Sequence, residues 1–258
     1  FAQLRDAKKW PYFYFVERRL LDACSAVVYS SECEQRHTIA AARHRTSEIV
    51  IPDFFEAEPA LPDIRGVVAD EVRFSFMAAI APRKGSLPLV EGFVEFARAI
   101  GPGEKVRLVV AGFVRRGSEA YHARELAIAA RAPANAAIEF IGPVKDADRA
   151  SFYRDTDVFL VPSVFESFGL TVLEGVAAGC AEITGPELGV LEYLPADSGL
   201  TIAQAISPAA IAEALRVRYE LARSQRRSER EATRTRAASA IADLNGLAKA
   251  RWLELLSG

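Results

Sequence analysis

From Val72 onward, short apolar runs of strand length alternate with segments whose apolar residues recur at helical spacing. Val72–Ala79, Val106–Ala111, Ala137–Ile141 and Val158–Pro162 predict strands. Between them, Leu87–Ile100, Ser118–Arg131 and Asp148–Arg154 predict helices, the first with Leu87, Val90, Phe93, Val94 and Ala97 on one face. Val106–Ala111 is apolar without interruption, as expected of a strand covered on both sides. Strands alternating with helices predict an α/β fold with a parallel, doubly wound sheet. Ala181–Thr184 and Leu200–Ile202 are weaker strand candidates. Ser207-Pro208 reads as N-cap and first helical residue, and the helical pattern runs to Leu256 with a break expected near Asn245-Gly246.

The chain before Val72 reads differently. An aromatic cluster (Trp10, Tyr12, Phe13, Tyr14, Phe15) leads into a helical stretch ending at Cys24; core packing is its expected role, with binding of a lipid or sugar ring as the alternative. Ala26–Ser30 predicts a strand, Glu32–His44 a helix and Ser47–Pro52 a second strand. Pro59, Pro62 and the acidic residues around them suit a linker. The predicted organisation is a small unit over 1–62, an α/β domain over 63–206 and C-terminal helices over 207–258.

Composition narrows the class. Half of the 258 residues are hydrophobic and 26% charged, as in a soluble protein with a sizeable core. The net charge of −2 provides no field for recruiting nucleic acid. No stretch is long enough to span a bilayer, and a cytoplasmic protein, or one peripheral to the inner face of the membrane, is expected. Three cysteines (Cys24, Cys33, Cys180) show no metal-ligand spacing, and Cys24 and Cys180 are expected to be buried thiols. His37, His44 and His122 are read as lacking carboxylate partners. The arginine-rich segment Arg223–Arg236 is a candidate for contact with acidic lipid headgroups, with a solvated helix face as the alternative.

The most informative stretch runs from Val158 to Glu192. A strand, a polar turn and a glycine lead into a helix, with Glu166 before the glycine and Glu174 eight residues on. A helix starting near Gly169 leaves the N–H groups of Gly169, Leu170 and Thr171 without intrahelical partners, and such a terminus attracts phosphate. Glu174 lies just over one turn inside and leans back toward that end. One turn could thus hold a diphosphate with hydroxyl-bearing groups on both sides.

Pro162–Gly179 (PSVFESFGLTVLEGVAAG) resembles the donor-binding signature of family 4 retaining glycosyltransferases of the GT-B fold, written P-S-x-x-E-x-F-G-L-x-x-x-E-A-x-A-x-G. The resemblance implies a Rossmann-like domain, the C-terminal half of a GT-B fold. It also implies transfer of a hexose from a nucleoside-diphosphate sugar, with retention, to a glycan, lipid or small-molecule acceptor. Glu166 would hold sugar hydroxyls and Glu174 the ribose. After the first strand, Ala81-Pro82-Arg83-Lys84-Gly85 matches the family's phosphate-binding turn at Lys84, whereas Ala78 and Ala79 stand where Gly and Arg are expected. Arg83 is the candidate for the second charge, although side chains adjacent in sequence rarely converge. Phe140-Ile141-Gly142 matches the turn that contacts the base through backbone atoms, and Gly112 is a weaker match. Glu192 closes a G-x-x-E, with helix capping as the alternative role. The family's A-G-x-P-V-V becomes Ala178-Gly179-Cys180-Ala181-Glu182-Ile183, so Glu182 needs a partner or an edge strand.

Lys84 and the helix terminus would stabilise a leaving diphosphate electrostatically, so neither cofactor nor metal is expected. About 60 residues precede the linker, too few for an acceptor domain, and a fragment lacking most of that domain is the expectation. Binding of donor without transfer and epimerisation of a sugar nucleotide are the alternatives. A dehydrogenase is disfavoured because G-x-G-x-x-G follows no strand, and a glycoside hydrolase because both carboxylates would have to flank one bond.

Overall fold

The structure is a computed structural model that describes residues 10–41, 46–57, 71–195, 200–203 and 205–257. Helix α1 (Trp10–Tyr12), a π-helical stretch (Phe13–Glu17) and α2 (Arg18–Ala23) open the chain. Strand β1 (Ala26–Tyr29), helix α3 (Glu32–Ala41) and β2 (Ser47–Val50) follow, and β1 and β2 form a two-stranded parallel sheet. The sequence sets the start of α3. Ser31 caps it by accepting the Glu34 N–H at 3.0 Å, while the Glu34 carboxylate accepts the Ser30 N–H at 2.8 Å.

The second sheet contains β3 (Glu71–Met77), β4 (Lys105–Ala111), β5 (Ala136–Gly142), β6 (Val158–Val161), β7 (Ala181–Thr184) and β8 (Leu200–Ile202). All pairings are parallel, in the order β5-β4-β3-β6-β7-β8. The crossovers carry α4 (Ser86–Ala99), α5 (Glu119–Ala129), α6 (Asp146–Arg154) and α7 (Leu170–Ala177), and α8 (Pro208–Ser257) closes the chain. This is the Rossmann-like α/β architecture that the alternation predicts, with both weak strands present.

Strand periodicity sorts the core into two layers. Phe74, Phe76, Leu108, Val110, Val158 and Leu160 face Leu89, Phe93 and Phe96 of α4 and Ile211, Leu215 and Tyr219 of α8. Their neighbours Val109, Ala111, Phe159 and Val161 point the other way, against Val172, Leu173 and Val176 of α7 and Ala237, Ile241 and Leu244 of α8. Helix α8 therefore contributes to both cores.

Several expectations need correction. α8 runs unbroken through Asn245-Gly246. Glycine in a helix costs only about 1 kcal/mol, and Asn245 has a use there: its side chain accepts the Phe55 N–H at 3.0 Å and donates to the Phe55 carbonyl at 2.8 Å. Of the aromatic cluster, Tyr12 and Phe15 are exposed and not core, while the side chains of Trp10, Phe13 and Tyr14 lie outside the description. Cys24 is exposed as well, while Cys33 and Cys180 are buried. Within the arginine-rich segment, Arg230 and Arg234 are not simply a solvated face. Buried Arg230 donates to the carbonyls of Thr156 (2.7 Å), Arg154 (3.0 Å) and Tyr153 (3.3 Å), and Arg234 donates to that of Ala178 (3.0 Å). These carbonyls end α6 and α7, where helix C-termini leave acceptors unpaired and favour cations. His37 and His122 do have carboxylate partners, Glu187 at 3.2 Å and Glu125 at 2.9 Å; His44 lies outside the described residues. No helix among the described residues is long and apolar enough to cross a membrane.

Candidate functional site

The strand order reverses direction between β3 and β6, and in open parallel sheets ligands sit beyond the carboxyl ends of the strands at that point. Two loops meet there, Ala78–Gly85 after β3 and Pro162–Gly169 after β6. The Val164 N–H donates to the Arg83 carbonyl at 2.9 Å. Gly85 has φ +72°, and a Cβ on it would lie 1.9 Å from the Pro162 carbonyl oxygen. Both the left-handed backbone and the contact require glycine. Gly85→Ala is expected to destabilise the protein by about 2–4 kcal/mol, read by urea denaturation, because neither backbone can yield without the other.

Arg83 and Lys84 form a 3-10 turn, Pro82–Lys84, and contrary to expectation their side chains converge. The Arg83 guanidinium donates to the Phe165 carbonyl at 2.6 Å and to Glu166 Oε2 at 3.3 Å. Lys84 Nζ donates to Glu166 Oε1, which also accepts from Ser163 Oγ at 2.6 Å. Burial pushes the Glu166 carboxyl upward, but the bonds from Lys84 and Ser163 and the charges of Lys84 and Arg83 outweigh it, and its pKa lies below the ordinary value. Glu166 is therefore an anion at neutral pH, held between two cations. Sequence reasoning missed Ser163, although a hydroxyl three residues before Glu166 was available as a signal.

Helix α7 begins where expected. Gly169, at φ +109°, is its N-cap, and no side chain caps the helix. The N–H groups of Gly169, Leu170 and Thr171 have no acceptor among the described residues, while the Val172 N–H returns to the Gly169 carbonyl at 3.0 Å. Glu174 is not turned to bulk water. Its carboxylate accepts Arg149 Nη1 at 3.0 Å and the Tyr153 hydroxyl at 2.6 Å. Arg149 and Tyr153, four residues apart on one face of α6, were also missed; that spacing was the available signal. Burial first, and then Glu174, raises the Tyr153 pKa well above its ordinary value, so the phenol stays a donor. Two lone-pair directions of the Glu174 carboxylate remain for a ligand.

At the other side of β4, Phe140 pairs with Val110 and Gly142 with Ala111, so Ile141 is skipped in the ladder and half exposed. The Gly112 N–H donates to the Gly142 carbonyl at 2.8 Å. Glu192 caps a helix, but a distant one: it accepts the N–H groups of Glu32 (2.8 Å) and Cys33 (2.6 Å) at the start of α3. Beside it, Ser31 Oγ donates to the Ser167 carbonyl at 2.6 Å. Glu182 occupies β7, between β6 and β8, so the edge-strand explanation fails. It is fully buried, and neither carboxylate oxygen has a hydrogen-bond partner among the described residues. The expectation of no metal also rests on reading the chain as lacking Asp-x-Asp, and that reading is incorrect, since Asp146/Asp148 and Asp155/Asp157 have this spacing. Asp146 pairs with Arg149 at 2.6 Å, Asp155 with Arg154 at 3.4 Å, and Asp157 accepts the Arg73 N–H at 2.8 Å.

The family model described as "Glycosyl transferases group 1" matches residues 59–236. Over 195 residues the chain is 29% identical to D-inositol 3-phosphate glycosyltransferase of Kineococcus radiotolerans, covering 71% of this chain and 44% of that protein. The chain thus spans less than half of this curated relative. Among solved structures, HepE of Anabaena, in complex with UDP and glucose, superposes with a TM-score of 0.74 at 17% identity, over 95% of this chain and 66% of that one. Sucrose-phosphate synthase of Thermosynechococcus elongatus also gives 0.74, at 18% identity, over 98% and 64%. At such identities the likeness concerns the fold.

Proposed function

Because the chain belongs to the glycosyl transferases of group 1, we propose that it binds a nucleoside-diphosphate sugar and serves in transfer of the hexose to an acceptor with retention of configuration. One observation carries this reading. Two cations, Arg83 and Lys84, and three N–H groups without acceptors at the start of α7 border the same switch point, on two loops that touch. A diphosphate is the ligand that such a set of donors suits. HepE, solved with UDP and glucose, supports the donor class, and the resemblance of Pro162–Gly179 to a retaining signature supports the stereochemistry.

Each residue then has a role. Lys84 exchanges its contact with Glu166 for the arriving diphosphate and stabilises the charge that develops as the sugar–phosphate bond breaks. Arg83 supplies the second charge that Ala79 cannot. The N–H groups of Gly169, Leu170 and Thr171 bind phosphate oxygens. Glu166, released from Lys84, accepts sugar hydroxyls. Glu174, held in place by Arg149 and Tyr153, accepts the ribose hydroxyls. The backbone of Ile141 and Gly142 meets the base. The acceptor is a glycan, a lipid or a small molecule. The donor site works through these fixed charges and dipoles without a metal.

A thermal-shift panel of UDP, GDP and ADP with their glucose conjugates tests the reading. One member at a hundred-fold excess over its Kd should stabilise the chain by about 2.7 kcal/mol. Lys84→Met should weaken that ligand by about ten- to a hundred-fold, the equivalent of about 1.5–3 kcal/mol. Glu174→Gln should weaken nucleoside diphosphates while leaving any response to inorganic pyrophosphate unchanged. No shift from any member, or an equal shift in the Lys84 variant, would remove the proposal.

A further inference from the structure

Cys33 and His37 stand four residues apart on one face of α3, and Glu187, on the loop after β7, approaches both. Cys33 Sγ lies 3.5 Å from Glu187 Oε2, and His37 Nε2 lies 3.2 Å from the same oxygen. The three ligand atoms all fall within 4.8 Å of one another. A tetrahedral Zn2+ with bonds of about 2.0–2.3 Å to oxygen, nitrogen and sulfur sets its ligands about 3.3–3.5 Å apart. From this geometry we infer that Cys33, His37 and Glu187 form a zinc site that joins α3 to the loop beside the switch point, with the fourth position open to water. This site lies outside the Lys84–Glu166–Glu174 arrangement and does not rest on the donor reading.

The chemistry of the set favours zinc. One thiolate, one imidazole and one carboxylate offer the sulfur, nitrogen and oxygen mixture that suits Zn2+ and suits Mg2+ or Ca2+ poorly. Their summed charge of two negatives, once the thiol ionises, neutralises the ion. The sulfur is buried, while His37 and Glu187 are partly exposed, so an ion can enter from the solvent side. The ring of His37 meets Phe165 edge-on with centroids 4.6 Å apart, which orients the imidazole. In the ion-free state burial and the facing Glu187 carboxylate push the Cys33 thiol up to about 11. Binding through the thiolate displaces the thiol proton to solvent.

The position gives such an ion a consequence. The Glu187 carbonyl accepts the Glu166 N–H at 3.0 Å, and Glu166 pairs with Leu188 as an isolated parallel bridge. An ion on Glu187 would tie α3 to the loop after β7, and through the Glu187 carbonyl to the loop that carries Glu166.

Titration of the 258-residue chain with Co2+ as a spectroscopic stand-in for zinc tests the inference. One equivalent should give a sulfur-to-cobalt charge-transfer band with the intense visible bands of a four-coordinate ion, and Zn2+ should displace it. Cys33→Ser should abolish the charge-transfer band, whereas Cys24→Ser, at the exposed thiol, should leave it intact. His37→Gln and Glu187→Gln, both partly exposed and tolerant of change, should each lower Zn2+ affinity at least tenfold. Zn2+ should also raise the Tm of the unaltered chain and not that of Glu187→Gln. Absence of the band, its survival in Cys33→Ser, its loss in Cys24→Ser, or undiminished affinity in both Gln variants would overturn the site.

Discussion

Replacing Glu182 by glutamine should make the protein more stable at neutral pH and remove a distinct component of its pH dependence. The carboxyl is fully buried on β7, and its pKa is raised well above the ordinary value. Burial is the main cause. The positive charge of Arg218 opposes it, and the negative charge of Glu174 adds to it. In the unfolded chain the group ionises near the ordinary carboxylate value, whereas in the folded protein it holds its proton. Between those two values the native state binds more protons than the unfolded state, so stability falls as pH rises. The difference between the Gln variant and the unaltered protein should be near zero at the ordinary carboxylate pKa and grow by about 1.4 kcal/mol per pH unit until the folded carboxyl itself ionises. Urea midpoints of both proteins across the pH range measure it directly. A constant offset with pH would mean that Glu182 is ionised and paired. The neighbouring helix is adapted to this residue. A Cβ on Gly175 would sit 1.9 Å from Glu182 Oε1, so Gly175→Ala should be damaging alone and tolerated beside Glu182→Val. Alanine and valine are the residues the family pattern carries at these two places.

Arg230→Ala should cost about 3 kcal/mol, the largest loss expected for any arginine among the described residues. Its guanidinium fork donates to three carbonyls at the end of α6 from a buried position, and removing it leaves acceptors that water cannot easily reach. Arg230→Lys should recover little, because a single ammonium cannot reproduce the planar fork. Chemical denaturation measures both. A loss below about 1 kcal/mol would mean that these carbonyls are satisfied by water.

The sequence was most legible where a local rule dominates. Period-two strands, period-3.6 helices and the glycine at the start of α7 follow from backbone geometry, and each lies within a few residues of its expected place. It was less legible where long-range partners decide. Asn245-Gly246 has the composition of a helix end, yet Phe55, distant in sequence, gives Asn245 two backbone partners. Arg230 and Arg234 sit among charges that pattern as solvated, and only the folded positions of α6 and α7 turn them into caps. Arg83 and Lys84 meet because Glu166, from another loop, lies between them. The cysteine reading passed over the four-residue spacing of Cys33 and His37, and the third proposed ligand, Glu187, joins them only in the fold.

The attachment of α3 to the loops after β6 and β7 has a consequence for protein engineering. At its first turn, the groups that Ser31 and Glu192 engage are main-chain: the amides of Glu32 and Cys33, and the carbonyl of Ser167. Further along, Cys33 and His37 reach Glu187 through their side chains. The first-turn joint is indifferent to side-chain identity. The helix could be exchanged for one of different sequence and still dock, provided a serine precedes it, no proline occupies its first two places, and Cys33 and His37 are kept. A chimera built on that rule should keep its seat on the domain, whereas Glu32→Pro, at a helix position where proline is ordinarily well tolerated, removes the N–H that Glu192 accepts and should unseat it.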